Sequence, residues 1–289
     1  MSETPSLART VLLTAVAMIA FAANSVLCRQ ALGEGHMDAA SFTSLRMISG
    51  AITLMLILAI KSGISKPEAA SWKSAAMLFT YMVFFSFAYL SLAAGTGALL
   101  LFGAVQITMF SFAIRRGERF TLIGWLGLLA AVGGLVYLVS PGVAAPNLMG
   151  AVMMIVAGIA WGIYSLLGKG ATDPLKASAW NFTYSIPLVI IVSLVFIDQV
   201  AISQTGIILA IASGALASGC GYVIWYAVLP ALKASQAATV QLTVPAIAAI
   251  GGVLILSEPL SARLVIASVA TLGGVAIVLL QQQKQAKSG

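Results

Sequence analysis

The chain has 289 residues, of which 61% are hydrophobic and only 8% charged, and its formal net charge is +7. A soluble domain needs about a quarter of its residues charged to cover its surface. A water-soluble globule is therefore excluded, and the basic balance reads as loop charge on a membrane protein rather than as a nucleic-acid footprint.

The apolar residues come in runs of roughly twenty, the length a helix needs to cross a bilayer core. Lipid cannot satisfy exposed backbone groups, and the runs lack the alternation of a barrel, so the expected class is an all-α polytopic membrane protein. In chain order, the first half is read as the spans Thr10–Ala31, Ala40–Ile60, Trp72–Ala93, Gly95–Ile114 and Phe120–Ser140. The first run resembles a leader peptide, with Arg9 before it and small residues after it, but Leu27 is bulky where a lipoprotein signal wants a small residue before Cys28. It is therefore read as the first span. An uncharged linker, Pro141 to Pro146, precedes Leu148–Leu167, Ala177–Ile197, Gly206–Leu229, Ser235–Leu256 and Ala262–Leu280. The tail QQQKQAKSG is polar and is read as disordered. Very short connections make antiparallel hairpins of the third and fourth spans and of the eighth and ninth.

A shift of 140 residues lays Glu118 on Glu258, Thr121 on Ser261 and Gly133-Gly134 on Gly273-Gly274. It also lays Phe21 to Arg29 (FAANSVLCR) on Trp161 to Lys169 (WGIYSLLGK), and Phe42-Thr43 on Phe182-Thr183. One offset that holds at separated places indicates an internal duplication. The units are 1–141 and 142–289. With an odd number of spans in each, the second enters from the opposite side, and the expected architecture is ten transmembrane helices as two inverted five-helix repeats around a central cavity. With the N-terminus inside, all of the 15 basic residues except Arg29, Arg46 and Arg263 fall on the inner side, which makes both termini cytoplasmic. Thr121 and Ser261 stand where each would cap a helix.

No catalytic constellation is present. Ser165 and Lys169 share a helix face, but Lys169 ends its span and reads as an inner-side charge, so the chain is not read as an enzyme. No cofactor is called for. Cys28 and Cys220 lie inside apolar spans and suggest no disulfide or metal site, and His36 falls in a loop. The acidic residues all lie in tails, loops or span ends, whereas an ion-coupled pump usually buries a carboxylate, so a facilitator or exchanger fits better.

Polar and aromatic residues inside the spans mark the interior, because lipid makes them costly elsewhere. Asn24, Tyr81, Gln106, Trp161, Tyr164 and Tyr222 are the candidates to line a substrate site. Tyr81, Phe85 and Tyr89 are four apart along one helix face, and Ser218, Tyr222, Trp225 and Tyr226 share another. Arg46 lies some six residues into the second span. Two readings stand for it: snorkelling or pairing with Glu34 or Asp38, or a fixed cation for a substrate carboxylate. Pro245 removes a backbone donor in mid-span and is expected to kink the ninth helix as a hinge or packing feature. Gly158-x-x-x-Gly162 is read as helix packing.

The span-one pattern FAANSVLCR with its copy WGIYSLLGK, the FTSLR that carries Arg46, and the Gly117-Glu118 turn resemble the EamA-type family of the drug/metabolite transporter superfamily. So do Ser257-Glu258-Pro259 and the Gly-Gly pair near the end of span ten. The resemblance covers nearly the whole chain. It implies a ten-span carrier in the bacterial inner membrane that moves small metabolites by alternating access, commonly outward. The nearest functional type is the YddG-like exporters of aromatic and other neutral amino acids. Ile186, where the repeat would match Arg46, and Tyr164, where it would match Asn24, are departures that imply an asymmetric cavity. The implied partners are a small-molecule substrate such as an amino acid, and membrane lipid; the sequence leaves monomer or homodimer open. The alternative is an exporter of drugs or nucleotide sugars with the same build.

Overall fold

A computed structural model describes residues 7–65, 71–117, 121–142, 144–168, 171–232 and 234–288. Glu118 and Lys169 lie outside the described residues, and so does the Gly-Glu turn drawn through Glu118. The first helices are α1 (Leu7–Gly33), α2 (Ala39–Ser62), α3 (Trp72–Tyr89), α4 (Ala94–Arg115) and α5 (Leu122–Val139). They are followed by α6 (Leu148–Gly168) and α7 (Pro174–Val195). Next come α8 (Gln204–Ile211), a π-helical segment (Ala212–Cys220) and α9 (Gly221–Val228), which make one continuous run, Gln204–Ala231. The last are α10 (Ala234–Gln241), α11 (Thr243–Leu256) and α12 (Ala262–Ser288).

Helix starts follow local chemistry, since each frees backbone donors that a short polar side chain can accept. Asp38, Ser71, Thr121, Asn147, Asp173, Ser203 and Ser261 each accept the amide three residues on. Thr121 and Ser261 thus act as the caps that their positions suggested. The polar tail departs from expectation. The backbone of α12 runs on to Ser288, in keeping with the high helix propensity of Gln, Lys and Ala.

Among the described residues, nine helices are long and apolar enough to cross a membrane. The helix α3 is not one of them; Lys73, Tyr81 and Tyr89 dilute its 18 residues. The bundle is apolar on its outer face and holds buried polar side chains within a largely apolar interior. Ile52, Leu56, Leu129, Leu194, Leu254 and Val269 are exposed, while Thr43, Arg46, Ser86, Gln106, Asn181, Ser185, Ser213 and Ser218 are buried. Lipid makes polar side chains costly on the outer face, so those within the spans lie inside.

Small residues set the closest helix approaches. The helices α5 and α12 pack backbone to backbone: a Cβ on Gly274 would stand 2.3 Å from the Gly127 carbonyl, and one on Gly134 would stand 2.9 Å from that of Ala267. Gly158 and Gly162 both face α4, where a Cβ on Gly158 would stand 2.6 Å from the Leu101 oxygen, so the GxxxG does pack a helix pair. A Cβ on Gly214 would stand 2.1 Å from the Arg46 carbonyl, which presses the π segment against α2. Near Pro245 the α-helix is interrupted at Leu242. It stops at Gln241 and resumes at Thr243, beside the bond that a proline at 245 cannot make with the carbonyl four residues back.

Candidate functional site

The α1, α2, α3, α6 and 204–231 helices bring six of the seven candidate residues into one region, and their contacts begin with Arg46. Its side chain is fully buried, two turns inside α2. Neither snorkelling nor an acidic partner accounts for it. Glu34 engages His36 at 3.1 Å, and Asp38 caps α2 and accepts the Ala201 amide. The guanidinium donates instead from Nη2 to the Tyr81 hydroxyl at 3.1 Å. It also lies over the ring of Phe85, 4.7 Å from the centroid, and over that of Tyr81 at 5.5 Å. Its Nε and Nη1 have no hydrogen-bond partner, and neither does the buried Ser218 hydroxyl on the adjacent π segment.

Next to Arg46, four of the predicted rings form a cluster. Trp161 is half-buried, with centroids 4.9 Å from Tyr81, 5.3 Å from Tyr164 and 5.5 Å from Tyr222. Tyr222 in turn meets Phe21 and Phe182 edge-on, each at 5.9 Å. The Tyr164 hydroxyl lies 3.4 Å from Ser178 Oγ, which donates to Tyr226 at 3.2 Å. Asn24 joins the group from α1, where its Oδ1 accepts from Ser213 in the π segment.

Gln106 is the exception. It is buried on α4, but the ring contacts and hydrogen bonds that gather the other six do not include it. The α4 helix that carries it packs on α6 and α11. Pro245 likewise stands apart, in the first turn of α11.

Sequence reasoning did not single out Phe85, Phe182, Ser178 or Ser218 as site residues. Phe85 was visible in the four-residue spacing of Tyr81, Phe85 and Tyr89. Phe182 and Ser178 carry no local signal, because a residue of a span interior looks the same whether it faces a neighbour or a site. Ser218 was visible in the face it shares with Tyr222, Trp225 and Tyr226; it belongs to the π segment. Such wide turns occur often at functional positions.

In chemical terms the arrangement is a buried guanidinium with two unengaged nitrogens, a wall of aromatic faces and, on the π segment, a buried hydroxyl without a partner. No group of three or more His, Cys, Asp or Glu side chains that could hold a metal ion is present among the described residues. Arginine does not deprotonate in proteins and matches a carboxylate with its planar fork. Aromatic faces take apolar side chains and, through their quadrupole, cations.

The comparisons with known proteins bear on this. Residues 148–280 match the model of the EamA-like transporter family. An uncharacterized protein of Pseudomonas aeruginosa is 50% identical over 253 residues, 88% of each chain. An uncharacterized transporter of Bacillus subtilis, YoaV, is 25% identical over 76% of this chain and 80% of its own. An uncharacterized transporter of Archaeoglobus fulgidus is 24% identical over 86% of this chain and 90% of its own. A protein of known crystal structure superposes with a TM-score of 0.67 over 96% of this chain and 100% of its own, at 16% identity, which bears on the fold alone. Membrane-crossing helices, buried polar side chains and transporter relatives agree: the chain belongs to the EamA-like transporter family and is a multi-pass membrane transporter, not an enzyme.

Proposed function

We propose that the chain exports neutral and aromatic amino acids across the bacterial inner membrane by alternating access. In this reading α3 is a tenth crossing, both termini are cytoplasmic, and residues 1–141 and 142–289 are inverted repeats. Helix packing supports the repeat. The 140-residue shift turns the α3–α6 contact into that of the 204–231 run with α1, and α4–α6 into α11–α1. It exchanges the α2–α7, α4–α11 and α5–α12 pairs with themselves. A two-fold axis in the membrane plane relates contacts in this way, and carriers of this build bind substrate between the halves.

The observation that carries the substrate reading is Arg46. A buried charge without a counter-charge costs several kcal/mol, on the order of that measured when one partner of a buried pair is removed. A carrier meets that cost when its cargo supplies the anion. The carboxylate of an amino acid can accept from an open nitrogen, and the rings of Tyr81, Trp161, Tyr164 and Tyr222 fit an apolar or aromatic side chain. Nucleotide sugars would bring several negative charges to one buried cation, which disfavours them.

The test is counterflow in proteoliposomes with a labelled panel of neutral, aromatic and charged amino acids. Uptake of neutral or aromatic members, competed by unlabelled substrate and with no ion gradient, is the expected result. Absence of uptake with folded protein would overturn the amino-acid assignment. Uptake that needs an imposed proton gradient would overturn the uncoupled mechanism.

A further inference from the structure

At the end of the bundle opposite the chain termini, one acidic side chain ties together parts of the chain far apart in sequence. Glu258, in the turn between α11 and α12, accepts from Arg29 Nε at 3.1 Å through Oε1. Through Oε2 it accepts the Ala94 amide, the first residue of α4, at 2.8 Å. Arg29, near the end of α1, also donates from Nη1 to the carbonyls of Tyr89 at 3.2 Å and Leu90 at 3.4 Å, where α3 ends. A carboxylate thus meets the N-terminus of α4 and a guanidinium meets the C-terminus of α3, the favourable sense at both ends.

The backbone is shaped for this arrangement. Ser257 sits in the left-handed region at φ 54°, which turns the chain so that Glu258 faces back toward α4. A Cβ on Gly252 would lie 2.5 Å from Glu258 Oε2, so glycine leaves the space that the carboxylate occupies. The side chains of Arg29 and Glu258 retain 25% and 13% exposure. Water can therefore replace their partners when they part, which a fully desolvated pair would not allow.

We propose that Arg29, Glu258 and the α3–α4 turn form a releasable clasp that holds this end of the bundle shut, and that its opening admits water and substrate there. The clasp joins α1, α3 and α4 of the first half to the α11–α12 turn of the second. Opening this mouth requires those elements to separate. The proposal rests on the carrier reading and deepens it by naming a contact that must break in each cycle. One helix also links the clasp to the site: Tyr81 and Phe85, around Arg46, and Tyr89, whose carbonyl binds Arg29, lie in sequence along one face of α3.

A native thiol tests this. Cys28 is fully buried beside Arg29, and a Cys220→Ser background leaves it as the one cysteine of the chain. Its reaction rate with a charged, membrane-impermeant methanethiosulfonate is measured from each side of the membrane. Glu258→Gln and Arg29→Met should each speed labelling at least tenfold from one side only, and the double variant should add nothing further. The comparison variant is Arg263→Met, which removes different contacts at the same end, from Arg263 to the carbonyls of Leu138, Ser140 and Pro141. It should leave the rate near that of the parent.

Unchanged labelling in monodisperse Arg29→Met and Glu258→Gln protein would overturn the clasp, as would equal acceleration in Arg263→Met. If Glu258→Gln does not fold, Arg29→Met carries the same test. Labelling does not depend on transport. A failed amino-acid panel would therefore overturn the substrate reading and leave the clasp to be decided by the thiol.

Discussion

Replacing Arg46 by Met separates binding from folding. In the empty protein the substitution removes a buried, uncompensated charge, relieving a penalty of several kcal/mol. It gives up two ring contacts, at 4.7 and 5.5 Å, worth about 0.5–2 kcal/mol each. It also gives up the Tyr81 hydrogen bond, worth about 1.5–3 kcal/mol because one partner is charged. These nearly cancel, so the detergent-solubilised variant should melt close to the parent. The bound complex has no such cancellation. Truncating one partner of a buried, hydrogen-bonded charge pair costs about 2–5 kcal/mol. Even the lower figure weakens binding about 30-fold, since about 1.4 kcal/mol is a factor of ten. Counterflow KM and calorimetric Kd for the preferred amino acid measure this directly. Arg46→Lys should recover only part of the loss, because it keeps the charge and not the planar fork. A folded Arg46→Met variant with unchanged KM and Kd would refute the assignment of Arg46 to the substrate.

Three further outcomes follow from contacts in the same region. Tyr81→Phe takes away the hydroxyl that Arg46 Nη2 uses and should destabilise the empty carrier by about 1.5–3 kcal/mol, while the same change in an Arg46→Met background should cost little; thermal melting of the four proteins closes this cycle. Trp161→Phe keeps a ring against Tyr81, Tyr164 and Tyr222, so it should fold normally yet shift selectivity within the amino-acid panel, as read by competition in counterflow. Gly214→Ala forces a methyl onto the Arg46 carbonyl at 2.1 Å and should lower stability by about 1–3 kcal/mol or more, measured by melting, because backbone cannot step aside as a side chain can.

Much of the architecture was legible because lipid leaves few options: apolar runs of helical length, capping residues at their starts and short hairpin turns mark the helices. Arg46 was legible as an anomaly, a cation too deep for a loop. Its surroundings were not, because Tyr81 and Phe85 arrive from a different helix and cover the route that snorkelling would take. The Glu258–Arg29 pair spans 229 residues and has no local signature. The π segment escaped notice because its small residues read equally well as an ordinary helix seam. Gln106 shows the converse: a polar residue in mid-span announces an interior position without saying which part of the interior it faces. The interruption of the α-helix at Leu242 falls beside the backbone bond that Pro245 cannot make.

The doubled glycines of α5 and α12 divide their work unevenly. Gly134 and Gly274 are the contact positions, each filled by the partner helix, whereas Gly133 and Gly273 have open space where a side chain would go and are exposed on the outer surface. Of each two-letter motif, then, one letter is a requirement and the other a vacancy. A larger apolar residue at 133 or 273 would gain helix propensity, about 1 kcal/mol over glycine, and touch only acyl chains. The seam between the two helices tolerates no such change at 134 or 274. A motif repeated twice in the sequence is, at the level of atoms, a single bare stripe on each helix, and mutational tolerance along the pair should alternate residue by residue.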